Sequence, residues 1–352
     1  MFKPVLKEIH GKKYLYLIDR LKVNTKSIEV SLYAGRIENV TLSDFMSKTT
    51  EMEILRLKKY LDACAALYPP SMILSSDEMR DLEVARYYRA EFIEYYPDES
   101  AKYEQSVFVR YVQGTTAIEG NTISPSEASA LIDYGVSPAG KKIEEVFEVI
   151  NYINLRNYLK SYTGSLNEKL ILKIHEILME RLMHTPPGEY RRVSVAISGM
   201  DYMPPVALLV PAEIQNLLDW YKHNKKKVHP FELAVIFHTR FEMIHPFPDG
   251  NGRVGRALMN FILEREGYPT LYFGSAERNA YVDALIFADS GNFEPIVHTL
   301  FKFYQGQHKQ ISDEVKSAMS NPKRRNNRIR TKLFKAAVSE FARLRVISGC
   351  EP

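Results

Sequence analysis

Apolar and polar residues alternate along KYLYLID (Lys13 to Asp19) and KSIEVSLYAG (Lys26 to Gly35), where β-branched and aromatic side chains are bounded by Gly, Asn and Lys. A period of two marks half-buried strands, so residues 1 to 48 are expected to form a small β-rich segment. From Glu51 the period turns helical, in EILRLKKYLDACAALY, RDLEVARYYRAEFIEYY and AKYEQSVFVRYV, with PPS and PDES as breaks. It continues in IEEVFEVINYINLRNYLKSY, NEKLILKIHEILMERLM, PAEIQNLLDWYKH, FELAVIFHTRFEMI, GRVGRALMNFILERE, RNAYVDALIFADS and EPIVHTLFKFYQ. The body is therefore mainly α, and no fixed-period repeat runs through it.

One stretch breaks the helical pattern. In PPGEYRRVSVAISGMDYMPPV (Pro186 to Val206) the RVSVAIS core alternates and is fenced by Gly188, Gly199 and Pro204-Pro205. The expected element is a β-hairpin projecting from a helical body. The chain then reads as a β-rich segment (1–48), a helical region (49–110), a main helical domain (111–305) and a basic helical tail (306–352).

Composition adds limits. The chain has 352 residues, 45% hydrophobic and 26% charged, enough for a sizeable core. No run of eighteen apolar residues occurs, and MFKPVLKEIHGKKYLYLIDR lacks a secretory h-region, so no membrane span and a cytoplasmic location are expected. Cys64 and Cys350 have neither disulfide-framework nor zinc spacing and are read as free thiols. From Lys309 onward there are eleven Lys/Arg against four Asp/Glu, so the tail carries the entire +4 excess. NPKRRNNRIRTK (Asn321 to Lys332) could contact nucleic acid through phosphates, but a solvated basic face is favoured because no aromatic residues are interleaved.

The chemistry concentrates in IHPFPDGNGRVGR, Ile244 to Arg256. Leu233, Ile236, Phe237, Phe241 and Ile244 precede it on one helical face, and Val254, Ala257, Leu258, Phe261 and Ile262 follow on another. The cluster is thus a loop between two buried helices. Pro246 and Pro248 end the first helix, and Gly250 and Gly252 permit positive φ, so that backbone N–H groups can converge at the next helix N-terminus as an anion nest. Asp249 suits Mg2+ held by one carboxylate plus substrate phosphates. Arg253 and Arg256, three apart, can grip phosphate oxygens, and His245 can take a proton from an attacking hydroxyl. An EF-hand beginning at Asp249 would need Gly and Glu where Val254 and Asn260 stand, and a Walker loop would need GKS or GKT.

His245, Phe247, Asp249, Gly250, Asn251, Gly252, Arg253 and Arg256 match every fixed position of HxFx(D/E)GNGRxxR, so the chain resembles the Fic family. The resemblance implies a Fic-fold helical bundle with a β-hairpin flap. It also implies protein adenylyltransfer: AMP passes from ATP to a Tyr, Ser or Thr hydroxyl of a target protein, self-modification included. By position, His245 would be the base, Asp249 the Mg2+ ligand, Gly250, Asn251 and Gly252 the phosphate cradle, and Arg253 and Arg256 the outer-phosphate partners. Val195, Ala196, Ile197 and Ser198 resemble the flap that docks target backbone. Tyr281 stands where relatives put an aromatic residue against adenine, although Val282 and Asp289 depart from the family's tyrosine and asparagine.

GTTAIEGNT (Gly114 to Thr122) fits the family's inhibitory pattern (S/T)xxxE(G/N) at Thr115, Glu119 and Gly120. A Glu119 carboxylate on Arg256 would occupy the arginine meant for the γ-phosphate, an intramolecular brake. Alternative readings keep the site but change its use: transfer of UMP, phosphocholine or phosphate, or net removal of AMP. A third makes the pocket a nucleotide sensor with a DNA-binding tail.

Overall fold

The computed structural model describes residues 2–23, 26–69, 71, 73–182, 187–196, 202–320 and 331–350, without the side chains of 289, 310–320 and 331–336. The expectation of a mainly helical protein with a small N-terminal sheet holds. Three strands, β1 (Lys3–Ile9), β2 (Lys12–Val23) and β3 (Lys26–Arg36), precede the helices. The first six helices are α1 (Leu42–Ala65), α2 (Ser76–Tyr95), α3 (Pro97–Ile118), α4 (Pro125–Tyr134), α5 (Ile143–Ser161) and α6 (Glu168–Leu178). They are followed by α7 (Val210–Asn224), α8 (Pro230–Ile244), α9 (Asn251–Arg265), α10 (Arg278–Ile286), α11 (Glu294–Ser320) and α12 (Thr331–Ile347). Two compact units result: Met1–Pro69 with Glu83–Pro97 and His308–Pro352, and Pro70–Leu82 with Asp98–Gln307.

In the first unit the strands form an antiparallel sheet in the order β1-β2-β3. The period of two is visible in β2, where Leu15, Leu17, Asp19, Leu21 and Val23 form one buried row. Helix α1 covers that row with Phe45, Met52, Leu57 and Tyr60, and Phe341 of α12 stacks on Phe45 at 4.2 Å. The helix begins nine residues before the expected Glu51. A capping box sets this start: Thr41 Oγ1 accepts from the Asp44 amide at 3.1 Å while the Asp44 carboxylate accepts from the Thr41 amide at 3.1 Å. Cys64 and Cys350 are both free. Asp19 is the one acid in the buried row, and Arg56 of α1 neutralises it at 2.7 Å while also meeting Glu91 at 3.0 Å.

The second unit is built on α8 and α9. Helix α8 is apolar nearly all round, with Phe231, Leu233, Val235, Phe237 and Phe241 fully enclosed, as a central helix must be. Helices α6 and α7 pack beside this pair. Six residues, 245–250, join α8 to α9, so the two helix ends and everything between them share one small region.

The expected hairpin is not formed by its described residues: 187–196 and 202–206 carry no strand. Pro204 and Pro205 have no N–H to donate to a ladder. The Arg191 guanidinium also takes the Val193 carbonyl at 3.0 Å and the Pro205 carbonyl, acceptors that strand pairing would need. Ile197 and Ser198 lie outside the described residues.

Replacing Arg56 by methionine leaves two buried carboxylates without their cation and is expected to lower unfolding free energy by about 3–5 kcal/mol, read by denaturant titration.

Candidate active site

Helix α8 ends at His245, which adopts φ 48° and ψ 58°. Its amide still donates to the Phe241 carbonyl at 3.0 Å, closing the last turn. A left-handed conformation in a residue with a Cβ costs about 1–2 kcal/mol, so surrounding bonds must hold it. They come from Arg191, whose Nε donates to the His245 carbonyl at 2.8 Å and whose amide donates to the Pro246 carbonyl at 2.9 Å. Burial, with Arg191 adding to it, holds the imidazole pKa below its usual value. His245 is therefore neutral at pH 7 and able to accept a proton.

The loop is locked from inside by Asn251. Its side chain accepts from the Phe247 amide at 2.9 Å and donates to the Phe247 carbonyl at 2.9 Å. The Phe247 ring is fully buried and stacks on His175 at 3.7 Å with planes 3° apart. His175 in turn meets the Asp249 carbonyl through Nε2 at 3.1 Å and accepts from the Gly188 amide through Nδ1 at 2.8 Å. Gly250 takes φ 80°, and a Cβ there would lie 2.5 Å from Met179 Sδ. Both backbone angle and space demand glycine at this N-cap of α9. The Asp249 carboxylate lies on the rim, 64% exposed, and meets the Gly250 amide at 2.6 Å and Arg253 at 3.3 Å.

The two arginines are buried but diverge. Arg253 pairs with Glu148 of α5 at 2.8 Å. Arg256, only 2% exposed, donates through Nε to Thr115 Oγ1 at 2.7 Å and through Nη2 to the Thr115 carbonyl at 3.1 Å and to Glu119 Oε1 at 2.6 Å. Thr115 and Glu119 sit in and just after the last turn of α3. A Cβ on Gly252 would come within 2.8 Å of Glu119 Oε1, so the carboxylate rests directly over the first turn of α9. This is where the helix dipole and free amides favour an anion. Burial opposes ionisation of Glu119, but Arg256, Arg253 and Arg278 outweigh it and hold the carboxyl below its ordinary pKa.

Tyr281 is buried at 3% exposure, with its hydroxyl 2.7 Å from His238 Nε2 and its ring against Phe273. Val195 is half-buried and Ala196 exposed. Beneath Arg256 lies a further acid, Glu242, pushed up to about 8 by burial and 3.7 Å from His238, whose own pKa burial draws down to about 3. Gly255 makes this possible, since a Cβ there would strike Glu242 Oε1 at 2.2 Å. Sequence reading missed Arg191, His175, Glu148 and Glu242. His175 left a trace as the one histidine in the apolar face Leu170, Ile171, Ile174, Leu178, and Arg191 as a basic residue three beyond Gly188.

Residues 165–263 match the model of the Fic/DOC family. The chain is 32% identical over 203 residues to a protein adenylyltransferase Fic of Aedes aegypti, an alignment covering 55% of this chain and 40% of that protein. The chain thus spans about two-fifths of the length of that curated relative. Among solved structures, a Fic family protein of Desulfovibrio desulfuricans G20 superposes with TM-score 0.56 at 27% identity, covering 73% of this chain and 78% of that one. A Fic domain containing signaling protein of Bacteroides thetaiotaomicron VPI-5482 gives 0.58 at 21% identity over 69% and 97%, a likeness of fold.

Asn251→Ala leaves the buried amide and carbonyl of Phe247 unpaired. At about 1–3 kcal/mol per group, unfolding free energy should fall by about 2–6 kcal/mol, measurable by chemical denaturation.

Proposed function

We propose that this chain is a protein adenylyltransferase that transfers AMP from ATP to a hydroxyl of a target protein and is held inactive at rest by Glu119. The observation that carries the reading is the Glu119 carboxylate on Arg256 at 2.6 Å, over the N-terminus of α9. A carboxylate there stands in for a phosphate: it uses the same guanidinium and faces the same helix end. With Glu119 withdrawn, the loop amides of Gly250 to Gly252 and the side chains of Arg253 and Arg256 would receive the ATP phosphates.

In the reaction, the neutral imidazole of His245 takes the proton of a Tyr, Ser or Thr hydroxyl. That oxygen forms a bond to the α-phosphorus of ATP, the α–β bridging bond breaks, and pyrophosphate leaves. Val195 and Ala196 are assigned to the flap along which a target's extended backbone would dock. Self-modification uses the same acceptor chemistry.

Mg2+ fits the residues present. The exposed Asp249 carboxylate is a single hard oxygen ligand, and among the described residues no group of three His, Cys, Asp or Glu could hold a metal by itself. Such an ion would need phosphate oxygens to complete its shell, as Mg2+ sites that bind nucleotides do. Bound at Asp249, it would neutralise charge on the phosphates. We assign ATP as the nucleotide and Tyr281 as the aromatic residue proposed for its base.

No described helix is long and apolar enough to cross a membrane. We place the protein in the cytoplasm, where ATP is available. The stretch Asn321 to Arg330, on which DNA binding would rest, lies outside the described residues.

Glu119→Gly should raise automodification with labelled ATP and Mg2+ by about tenfold or more, since a charge-assisted bond contributes about 1.5–3 kcal/mol. His245→Ala in that background should lower it by about 10²–10⁴-fold. Equal labelling of wild type and the Glu119 variant would remove the brake. The sign of the pH dependence follows from the depressed carboxyl. The Arg256 contact is intact above the ordinary glutamate value and is lost only as pH falls through the lower folded value. The ratio of variant to wild-type labelling should therefore stay flat between about pH 6 and 8.

A further inference from the structure

Arg191 is 2% exposed, yet among the described residues its donors meet only carbonyl oxygens and no carboxylate. Nε donates to His245 at 2.8 Å, Nη1 to Val193 at 3.0 Å, and Nη2 to Pro205 and, at 3.5 Å, to Ile244. The backbone amide of the same residue donates to Pro246 at 2.9 Å. A buried cation without a counter-ion is costly to maintain, and its compensation here is a set of dipoles. Of these carbonyls, that of Ile244 is the last of α8 and that of His245 caps it, at the negative pole of the helix where orphan acceptors need donors, and that of Pro246 follows in the loop.

These carbonyls also determine where the His245 side chain goes. The residue is left-handed at φ 48°, a conformation that relaxes unless its flanking peptides are held. Arg191 holds the peptide on its C-terminal side directly and the next one through its own amide. The same guanidinium ties in Val193 and Pro205, which flank the segment that carries Val195 and Ala196. One side chain therefore relates the proton acceptor to the chain beside which a hydroxyl would be presented.

We propose that Arg191 is a positioning residue for the transfer reaction, fixing the left-handed backbone of His245 so that the imidazole meets the acceptor hydroxyl. The inference rests on the transferase reading above. It assigns Arg191 no contact with ATP or target. Its loss should therefore strike turnover while sparing the nucleotide, because the phosphate seat is made by α9, Arg253 and Arg256. A misplacement of about 1 Å in a reacting group can cost about a hundredfold in rate.

The test uses the full chain with the Glu119→Gly change as parent, comparing Arg191→Lys and Arg191→Gln. Initial rates of automodification with labelled ATP and Mg2+ are set against ATP dissociation constants from calorimetry. We expect the rate to fall about thirtyfold or more in Arg191→Gln, with partial recovery in Arg191→Lys, which keeps the charge and one donor. ATP affinity should stay within about twofold of the parent in both. Unchanged labelling would overturn the proposal. So would ATP affinity falling in step with labelling, or loss of cooperative unfolding in both variants, since Arg191 would then be serving the fold alone. A parent that never labels would instead sink the transferase reading itself.

Discussion

Arg256 is buried to 2% exposure in the first turns of α9, where the helix dipole adds to its positive charge, and the anion it holds fixes what this site can do. In this structure the anion is Glu119, with Thr115 supplying the remaining acceptors. The same position, over the first turn of α9 and against Gly252, is the one a phosphate would take. Two anions cannot share it. On the proposed reading, activity and restraint compete for one arginine, and the competition depends on α3 ending where it does. The Arg278 side chain holds the Ile118 carbonyl at 3.1 Å and Asn121 ties the following turn to α5 through the Glu145 carbonyl at 3.0 Å and Glu148 at 2.7 Å. Glu148 also grips Arg253, so both arginines of the motif are bound to elements that carry or brace Glu119.

The second requirement is a loop whose backbone cannot wander. Asn251 spends its whole amide on Phe247, which converts a residue read as part of a phosphate cradle into the internal strut of that cradle. His175 and Arg191 brace the outer side. Six residues with a left-handed histidine at one end and a left-handed glycine at the other would be poorly determined by local preference. Buried hydrogen bonds from three other segments determine them instead.

Much of this was legible in the chain. The two alternating runs became β2 and β3, and the helical periods became helices, because each pattern reports one face turned to a core. The first strand escaped notice since KPVLKEI alternates weakly and buries little; its place comes from pairing with β2. The start of α1 lies before the periodic stretch because TLSD caps with aspartate and the apolar period becomes clear only later. The alternation of RVSVAIS predicts a strand, yet among its described residues none forms, since Arg191 takes the Val193 and Pro205 carbonyls and the two prolines lack donors. The motif from His245 to Arg256 and the Glu119 segment could be read because their residue types are rare in combination. Arg191, His175 and Glu242 could not, since each acts through contacts distant in sequence.

The claim at the centre is that the Glu119 carboxylate and the outer phosphate of ATP compete for Arg256. It is tested most directly by the crystal structure of the Glu119→Gly variant with a non-hydrolysable ATP analogue and Mg2+. The account predicts a γ-phosphate oxygen within hydrogen-bond distance of Arg256, in the space the carboxylate held over Gly252. Outer phosphates bound elsewhere, with Arg256 untouched and still turned to Thr115, would contradict it.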